Sequence, residues 1–547
     1  MFMNLPGCER ILYCYIDGTL RRQYDVILAS FTSAIKYSSH VENIPLMKAC
    51  LVFQRRFTPV AHKIAIELRD KYGVSDFCGY VYLRSSARFL RNQKDVAYGG
   101  LLVDEEIHDT SVHEDLDWDY LEEVEREFGI PYLWPYIAVD RVIRHGLGVR
   151  EYPHDSSPYT HEDMARMLQA TVRAIKKFLE REKPDLVFMP VVSSLGNMLL
   201  FHIAQKKSIR ILVGAETRIK GGYVFSEDYR KFSFAETRFR VLMRGVKSPR
   251  DGDARAYLKA YRAKPHAYHY VMESFKDSGA RLKAYSWLTP WKLARSLRWL
   301  SERIVRTLID PAHDYMEQSP WWFLLDATRR KFRLMRGFSD LYDVYDQREQ
   351  FVYYPLHLEP EMSMLLLAPR WTDQINLIKQ IAESIPFSFK LYVKEHPAMV
   401  GFRTRQYYRE LKKIPNVKLI HPNHDSHEII KGSRLVFTQT GTAGWEALLL
   451  KKPVITFGDV YYNSLSMTKK CTDIETLSSL VKTQLDNFIF NESELLNFIS
   501  ALLEESEDIH LHELWEKGLD GSAEKTSIER FAEFLMRTYR RGQKSSQ

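Results

Sequence analysis

The sequence predicts an α/β protein made of two facing, doubly wound, Rossmann-like halves with a basic helical insertion between them. Three observations carry this reading. Short β-like runs alternate with helical segments over about residues 8–245, and again from residue 350 onward. The stretch at about 250–345 is poor in strands and rich in Lys, Arg and Trp. The chain has 547 residues, and at roughly 100–200 residues per domain that length implies two or three domains. The expected divisions are an N-terminal half over 1–245, an insertion over 246–348, a C-terminal half over 349–490 and a helical tail over 491–547.

In the first half, Arg10–Ile16 and Ala49–Phe53 read as buried strands. Pro59–Lys71 carries apolar residues at helical spacing, and Asp76–Leu83 returns to strand character. Thr160–Arg181 is an amphipathic helix stopped at Lys183-Pro184, and Asp185–Pro190 is the strand after it. Ser193 and Ser194 supply a turn and cap for a helix over Leu195–Gln205, ahead of the strand Arg210–Gly214. The second half is more regular. Strands are expected at Phe351–Pro355, Phe389–Val393, Val417–Ile420, Leu435–Gln439 and Val454–Gly458. Helices are expected at Asp373–Ser384, Arg405–Lys413, Ser426–Gly432 and Ala443–Leu450, and the tail ends in a helix over Ser527–Arg540.

Composition removes several classes. Hydrophobic residues make up 45% and charged residues 27%, which excludes whole-chain disorder. The longest apolar runs, such as Asn197–Ala204 and Met364–Ala368, fall short of the roughly 20 residues a membrane-spanning helix needs. The N-terminus has no basic region leading into an apolar core, so no signal peptide is expected and the protein is expected in the cytoplasm. Cys8, Cys14, Cys50, Cys78 and Cys471 are scattered and read as small buried hydrophobes. The formal net charge is +8, and 281–336 holds twelve Lys and Arg against five Asp and Glu. With Trp287, Trp291, Trp299, Trp321 and Trp322 in the same zone, contact with an anionic membrane surface is expected through 281–336. A solvated basic face is the plain alternative. Nucleic acid is not an expected partner.

The most informative stretch is LVFTQTGTAGWEALLLKKPVITFG over 435–458. A strand runs into Thr440-Gly441-Thr442 and directly into a helix, so backbone N–H groups and the helix dipole favour an anion there. Glu446, in the first turns of that helix, is a candidate for a ribose diol. An ordinary turn capped by Thr440 or Thr442 is the alternative. The pattern is neither GxGxxG nor a P-loop. Lys394-Glu395-His396-Pro397 follows a strand, where Lys394 would neutralise a phosphate and His396 would donate to a phosphate or sugar oxygen. In YYPLHLEPEM over 353–362, His357, Glu359 and Glu361 alternate and, if extended, share one face, which suggests contacts with the donor nucleotide or the acceptor; a solvated edge is the alternative. Of His421, His424 and His427, His421 is the best placed to touch a ligand, and no metal site is expected. Asp115, Asp117 and Asp119 form DxD patterns but precede a helix at Tyr120–Phe128 and read as caps. Glu216, after the strand Arg210–Gly214, is the N-terminal candidate for a general base or nucleophile, with a loop ion pair to Arg218 as the alternative. Asp140-Arg141 reads as a structural ion pair.

KEHP, the run HPNHDSHEIIKGSRLVFTQTGTAGWEALLLKKPVITFG and the Tyr461-Tyr462 after it resemble the capsule-polysaccharide synthesis glycosyltransferases, a group that includes retaining β-Kdo transferases. EREFGIPYLWPYIAVDR and PLHLEPE resemble the same bacterial surface-polysaccharide proteins. The resemblance covers 353–462 and, more loosely, 120–225. It implies a metal-independent GT-B enzyme that needs no cofactor beyond its nucleotide-sugar donor, which in the Kdo branch is CMP-linked. By motif, Lys394 and His396 match the family's lysine and His-Pro element, and Thr440, Gly441 and Thr442 match its phosphate-proximal turn, followed by Glu446. The expected acceptor is a lipid-linked or growing glycan. The rival readings are a CDP-glycerol-type glycerophosphotransferase and a non-catalytic assembly scaffold at the membrane.

Overall fold

The computed structural model describes residues 47–130, 132–145, 157–219, 221–266, 290–309, 320–509, 511, 514 and 522–543. The strand expected at Arg10–Ile16, Cys8, Cys14 and Trp287 lie outside the described residues. The strands are β1 (Met47–Phe53), β2 (Val74–Val81), β3 (Tyr98–Val103), β4 (Leu186–Met189), β5 (Arg210–Glu216), β6 (Gly222–Ser226), β7 (Phe351–Pro355), β8 (Lys390–Lys394), β9 (Val417–Ile420), β10 (Val436–Thr438), β11 (Val454–Thr456), β12 (Thr468–Lys470) and β13 (Glu507–Asp508).

Two sheets result, and the expected pair of Rossmann-like α/β domains is what the chain forms. The N-terminal sheet runs β13-β6-β5-β4-β1-β2-β3; β1 with β4, β4 with β5 and β2 with β3 pair in parallel, and β6 is antiparallel to β5 and β13. The C-terminal sheet runs β12-β11-β10-β7-β8-β9 and is parallel throughout. Helices cover both faces, so central strands read as continuous apolar runs rather than alternating ones, as in the fully buried β4, LVFM.

Local signals fix the helix ends. Thr160 and Asp163 form a capping box ahead of His161–Glu182, and Lys183 closes that helix at φ 45°. Ser194 caps Leu195–Lys206 through Asn197 N. Asp117 caps Trp118–Phe128 by accepting from Tyr120 N at 2.9 Å, which settles the DxD run as helix chemistry. Asp140 accepts from the backbone N–H groups of Val142, Ile143 and Leu195, at 2.9, 3.2 and 3.1 Å. The Asp140 carboxylate ties together two helix starts, and its charge also acts on Arg141 beside it.

The domain divisions also shift. Helix Ser233–Met243, assigned to the first half, and Asp251–Ala263, assigned to the insertion, both pack on Glu492–Glu504. Arg238 Nε donates to Glu504 Oε2 at 2.5 Å across that seam. One apolar cluster runs from Ile219 and Val224 through these helices to Tyr353 and Trp445, so the two lobes share a core on this side. The tail then crosses back. β13 pairs with β6, and helix Ser522–Gln543 packs on Thr58–Tyr72 of the N-terminal lobe. Among the described residues no helix is long and apolar enough to cross a membrane.

Phe531 fixes the returning tail, with its ring 5.4 Å from Phe188, 5.6 Å from Tyr223 and 5.4 Å from Phe225, and no exposed surface. Phe531→Ala is expected to cost about 3–5 kcal/mol. Hydrogen exchange should report the loss in the N-terminal sheet and not in β7–β11.

Candidate functional site

The C-terminal sheet reverses its winding between β7 and β10, and open parallel sheets receive ligands at the carboxyl ends of the strands at such a switch point. Three segments meet there: 356–361 after β7, 394–396 at the end of β8, and 438–442 after β10. In the N-terminal lobe the equivalent gap between β1 and β4 is stitched shut. Gln54 Nε2 donates there to Val191 O at 3.1 Å and to Tyr82 Oη at 3.2 Å.

Thr438 organises the turn after β10. Its hydroxyl accepts from Gly441 N at 3.0 Å and meets His357 Nε2 at 3.0 Å. A Cβ on Gly441 would stand 2.9 Å from both of those side-chain atoms, so the close approach requires glycine. Gly441 is itself the N-cap of helix Thr442–Leu449, and no side chain caps that helix. The alternative of a Thr440 or Thr442 cap is therefore not what the chain does. The first-turn N–H groups keep their partial positive charge at the carboxyl edge of the sheet. Thr440 Oγ1 lies 3.5 Å from Ser363 Oγ.

From β8, Lys394 donates to Ser426 Oγ at 2.8 Å. Burial lowers its pKa to about 8, against the pull of Asp425, Glu446 and Glu395. His396 Nδ1 accepts from Ala398 N at 3.2 Å. Burial, with Arg403 and Lys394 adding to it, holds the His396 ring at about 4. The ring is therefore neutral near pH 7, and with Nδ1 engaged as an acceptor its proton sits on Nε2. His396 is thus arranged as a hydrogen-bond donor rather than a base. His357 is lowered to about 3 by burial and by His396, its electrostatic neighbour. The two imidazoles and the turn at 440–442 accordingly form one group.

Beneath them lies Arg403, which the sequence reading did not single out. It is 1% exposed. Its guanidinium donates to Glu359 Oε2 at 2.6 Å, to His357 O at 2.6 Å and to Glu395 Oε1. Tyr408 Oη donates to Glu395 Oε2 at 2.7 Å. Burial opposes the charge on Arg403, but the neighbouring Glu395 and Glu359 carboxylates hold it on.

This arrangement corrects the expectation that His357, Glu359 and Glu361 share one face. β7 ends at Pro355 and the chain turns at Glu359-Pro360, so the period-two face does not continue and the three diverge. His357 turns to Thr438, and Glu359 is held through Oε2 in the buried ion pair with Arg403, while its Oε1 takes no part in that pair. Glu361 hydrogen-bonds Ser363 and faces Arg218 and Arg141 of the other lobe, its pKa raised by burial. Helix Trp134–Val139 packs on Met362–Leu367 at this junction. Glu446 is buried among His427, Thr442 and Lys394, with Nε2 of His427 3.6 Å away. His421 lies past the edge strand β9, its ring edge-on to Tyr342 at 4.8 Å and its Nδ1 accepting from Asn423 N. Glu216 ends β5 and accepts from Arg218 Nη1 at 3.0 Å, the ion pair weighed as its alternative. Among the described residues no group of three or more His, Cys, Asp or Glu side chains is arranged to hold a metal ion.

Residues 335–500, which contain every one of these C-terminal groups, match the sequence profile of a family described as capsule polysaccharide biosynthesis protein. Protein FixF of Sinorhizobium fredii is 32% identical over 136 residues, 24% of this chain and 31% of that protein, so the match spans about a third of the relative's length. Among solved structures the chain is similar to the beta Kdo 2,4 transferase of Thermosulfurimonas dismutans KpsC, at 13% identity over 58% of this chain and 80% of that one, with TM-score 0.31. The beta Kdo 2,7 transferase of the same KpsC gives 16% identity over 65% and 88%, with TM-score 0.28. UDP-GlcNAc 2-epimerase from Methanocaldococcus jannaschii gives 12% identity over 84% and 99%, with TM-score 0.24.

Removing Arg403 strands two buried carboxylates. Arg403→Met is therefore expected to cost about 3–5 kcal/mol at pH 8 in urea unfolding. The cost should be smaller at pH 5, where the abandoned carboxyls take up protons. The native chain has its own signature here. Burial pushes Glu359 from 4.5 up to about 7, against Arg403. Between those values the folded chain holds a proton the unfolded chain has shed, so stability falls as pH rises through the window. Glu359→Gln is expected to flatten that slope.

Proposed function

We propose that this chain is a glycosyltransferase of bacterial surface-polysaccharide synthesis, of GT-B type, taking its sugar from a nucleotide-activated donor. The observation that carries the reading is the uncapped helix Thr442–Leu449 at the switch point, flanked by Lys394 on β8 and by the two neutral histidines. The family match over 335–500 supports it.

In this reading the donor phosphate sits at Thr440–Thr442 and gains negative charge as the glycosidic bond breaks. The helix N–H groups, the Lys394 ammonium and the Nε2–H of His396 meet that charge already oriented, so little reorganisation is needed in the transition state. Neutralisation is assigned to these groups rather than to a metal, and the donor favoured is CMP-linked. The acceptor, a lipid-linked or growing glycan, enters between the lobes. Glu361, with its raised pKa and its neighbours Arg141 and Arg218, takes the acceptor proton in preference to Glu216. The lobes exclude water and protect the donor from hydrolysis.

Binding of CMP, CDP, UDP and GDP followed by thermal shift tests the reading, since a ligand of the native state raises its apparent stability. At least one should stabilise the chain, CMP or CDP first. Gly441→Ala, which drives a methyl against His357, should abolish the shift. If none of the four nucleotides moves the transition, the reading is wrong. Affinity for the stabilising nucleotide should fall as pH rises through about 8, where Lys394 loses its proton. Lys394→Met should bind weakly and without that inflection.

A further inference from the structure

We infer that the two basic helices Pro290–Ile309 and Pro320–Arg336 form a docking surface for an anionic lipid bilayer. This inference stands independently of the transfer chemistry proposed above. Both helices begin outside the segment that matches the family.

The second helix has two different faces. One is fastened to the C-terminal lobe. Arg333 Nη1 donates to Phe402 O at 2.7 Å, and the Arg330 guanidinium stacks 4.3 Å from the Phe402 ring. Leu334 packs against Gly401, whose φ of +87° turns the loop under it. The other face is an exposed apolar stripe. Trp321, Leu325, Thr328 and Phe332 recur at helical spacing, with Trp321 67% and Phe332 64% exposed. The first helix adds Trp291 and Leu297, 60% and 66% exposed, and the Arg295 guanidinium lies 5.1 Å from the Trp291 ring.

Charge selects the occupant. The two helices carry ten Lys and Arg against Glu302 and Asp326, a formal +8 that equals the net charge of the whole chain. A protein partner would need a matching acidic cleft, whereas a bilayer containing anionic lipid offers negative headgroups above an apolar layer. Exposed indoles and long basic side chains suit that boundary together: the rings enter the headgroup region and the cations stay at its surface. The stripe is too polar on its remaining faces to cross a membrane, so the contact is lateral. The anchoring loop 401–403 also carries Arg403, which holds His357 and Glu359 in position. A bilayer at this surface therefore lies beside the donor crevice, where an acceptor on a lipid carrier would be presented.

Flotation of the full chain with phosphatidylcholine vesicles, with and without phosphatidylglycerol, tests the inference. The chain should float with the anionic vesicles, stay behind with the neutral ones, and be released by salt. Trp321→Ser/Phe332→Ser and Arg295→Glu/Arg336→Glu change only exposed side chains and should keep the native melting temperature. Each should lower vesicle binding by about tenfold or more. Failure to float with anionic vesicles overturns the inference, as does flotation of both variants like the native chain. A native dimer in light scattering that Trp321→Ser/Phe332→Ser dissociates would also overturn it, because the stripe would then be an interface between copies.

Discussion

The candidate site stands on one buried cation. Arg403 reaches two different strand ends, bonding His357 O and Glu359 after β7 and Glu395 at the end of β8. Neither strand fixes the direction of its exit segment by itself, because the hydrogen-bond ladder stops at Pro355 and Lys394. The guanidinium fork supplies that direction. An ion pair so deeply buried contributes little net stability, since desolvating the charges offsets most of their attraction. Its consequence is geometric: His357 and His396 are brought beside one another, each neutral and each with one nitrogen already engaged.

Neutrality matters for what the crevice can accept. Two imidazolium rings next to Lys394 would repel one another and require a bound counter-ion. Burial removes that repulsion by lowering both rings well below neutral pH, leaving Lys394 as the cation near the turn. The remaining positive potential is the fixed partial charge of the helix start at Thr442. On the proposed function, such a site would favour one phosphate group at a defined position over diffuse negative charge. Gly441 and Thr438 sharpen this further, because the hydroxyl that holds the turn also fixes His357.

Much of this was legible in the sequence where local signals suffice. The run from Phe351 to Gly458 alternates apolar strands with capped helices, so β7 and β9 fall at their expected limits and the other strands within one or two residues. The Thr-Gly-Thr turn and the Lys-Glu-His-Pro segment follow β10 and β8, which the strand order sets on either side of β7, so both leave the sheet at its carboxyl edge. Arg403 was not legible. In GFRTR an arginine looks solvated, and only the fold reveals that Glu359 and Glu395 approach it from two strands. The alternation of His357, Glu359 and Glu361 misled for a related reason. Period two implies one face only while the backbone stays extended, and the ladder ends before the first of the three. The returning tail was illegible because β13 is two residues long and carries no strand signature.

The junction between the lobes links the turn to the opposite domain through polar side chains. Thr440 meets Ser363, Ser363 bonds Glu361, and Glu361 faces Arg218 and Arg141, with Arg218 in turn holding Glu216. Each member is polar, and the chain runs from two hydroxyls through the Glu361 carboxylate to the arginines, so an added anion or a lost proton at one end alters the potential at the other. The lobes are joined on one side by a continuous apolar core and a tail that crosses between them, and on this side helix Trp134–Val139 packs on Met362–Leu367, with Leu366 against the N-terminal core. Apolar packing therefore holds both edges, and the polar chain from Thr440 to the arginines sets the electrostatics of the junction rather than its rigidity.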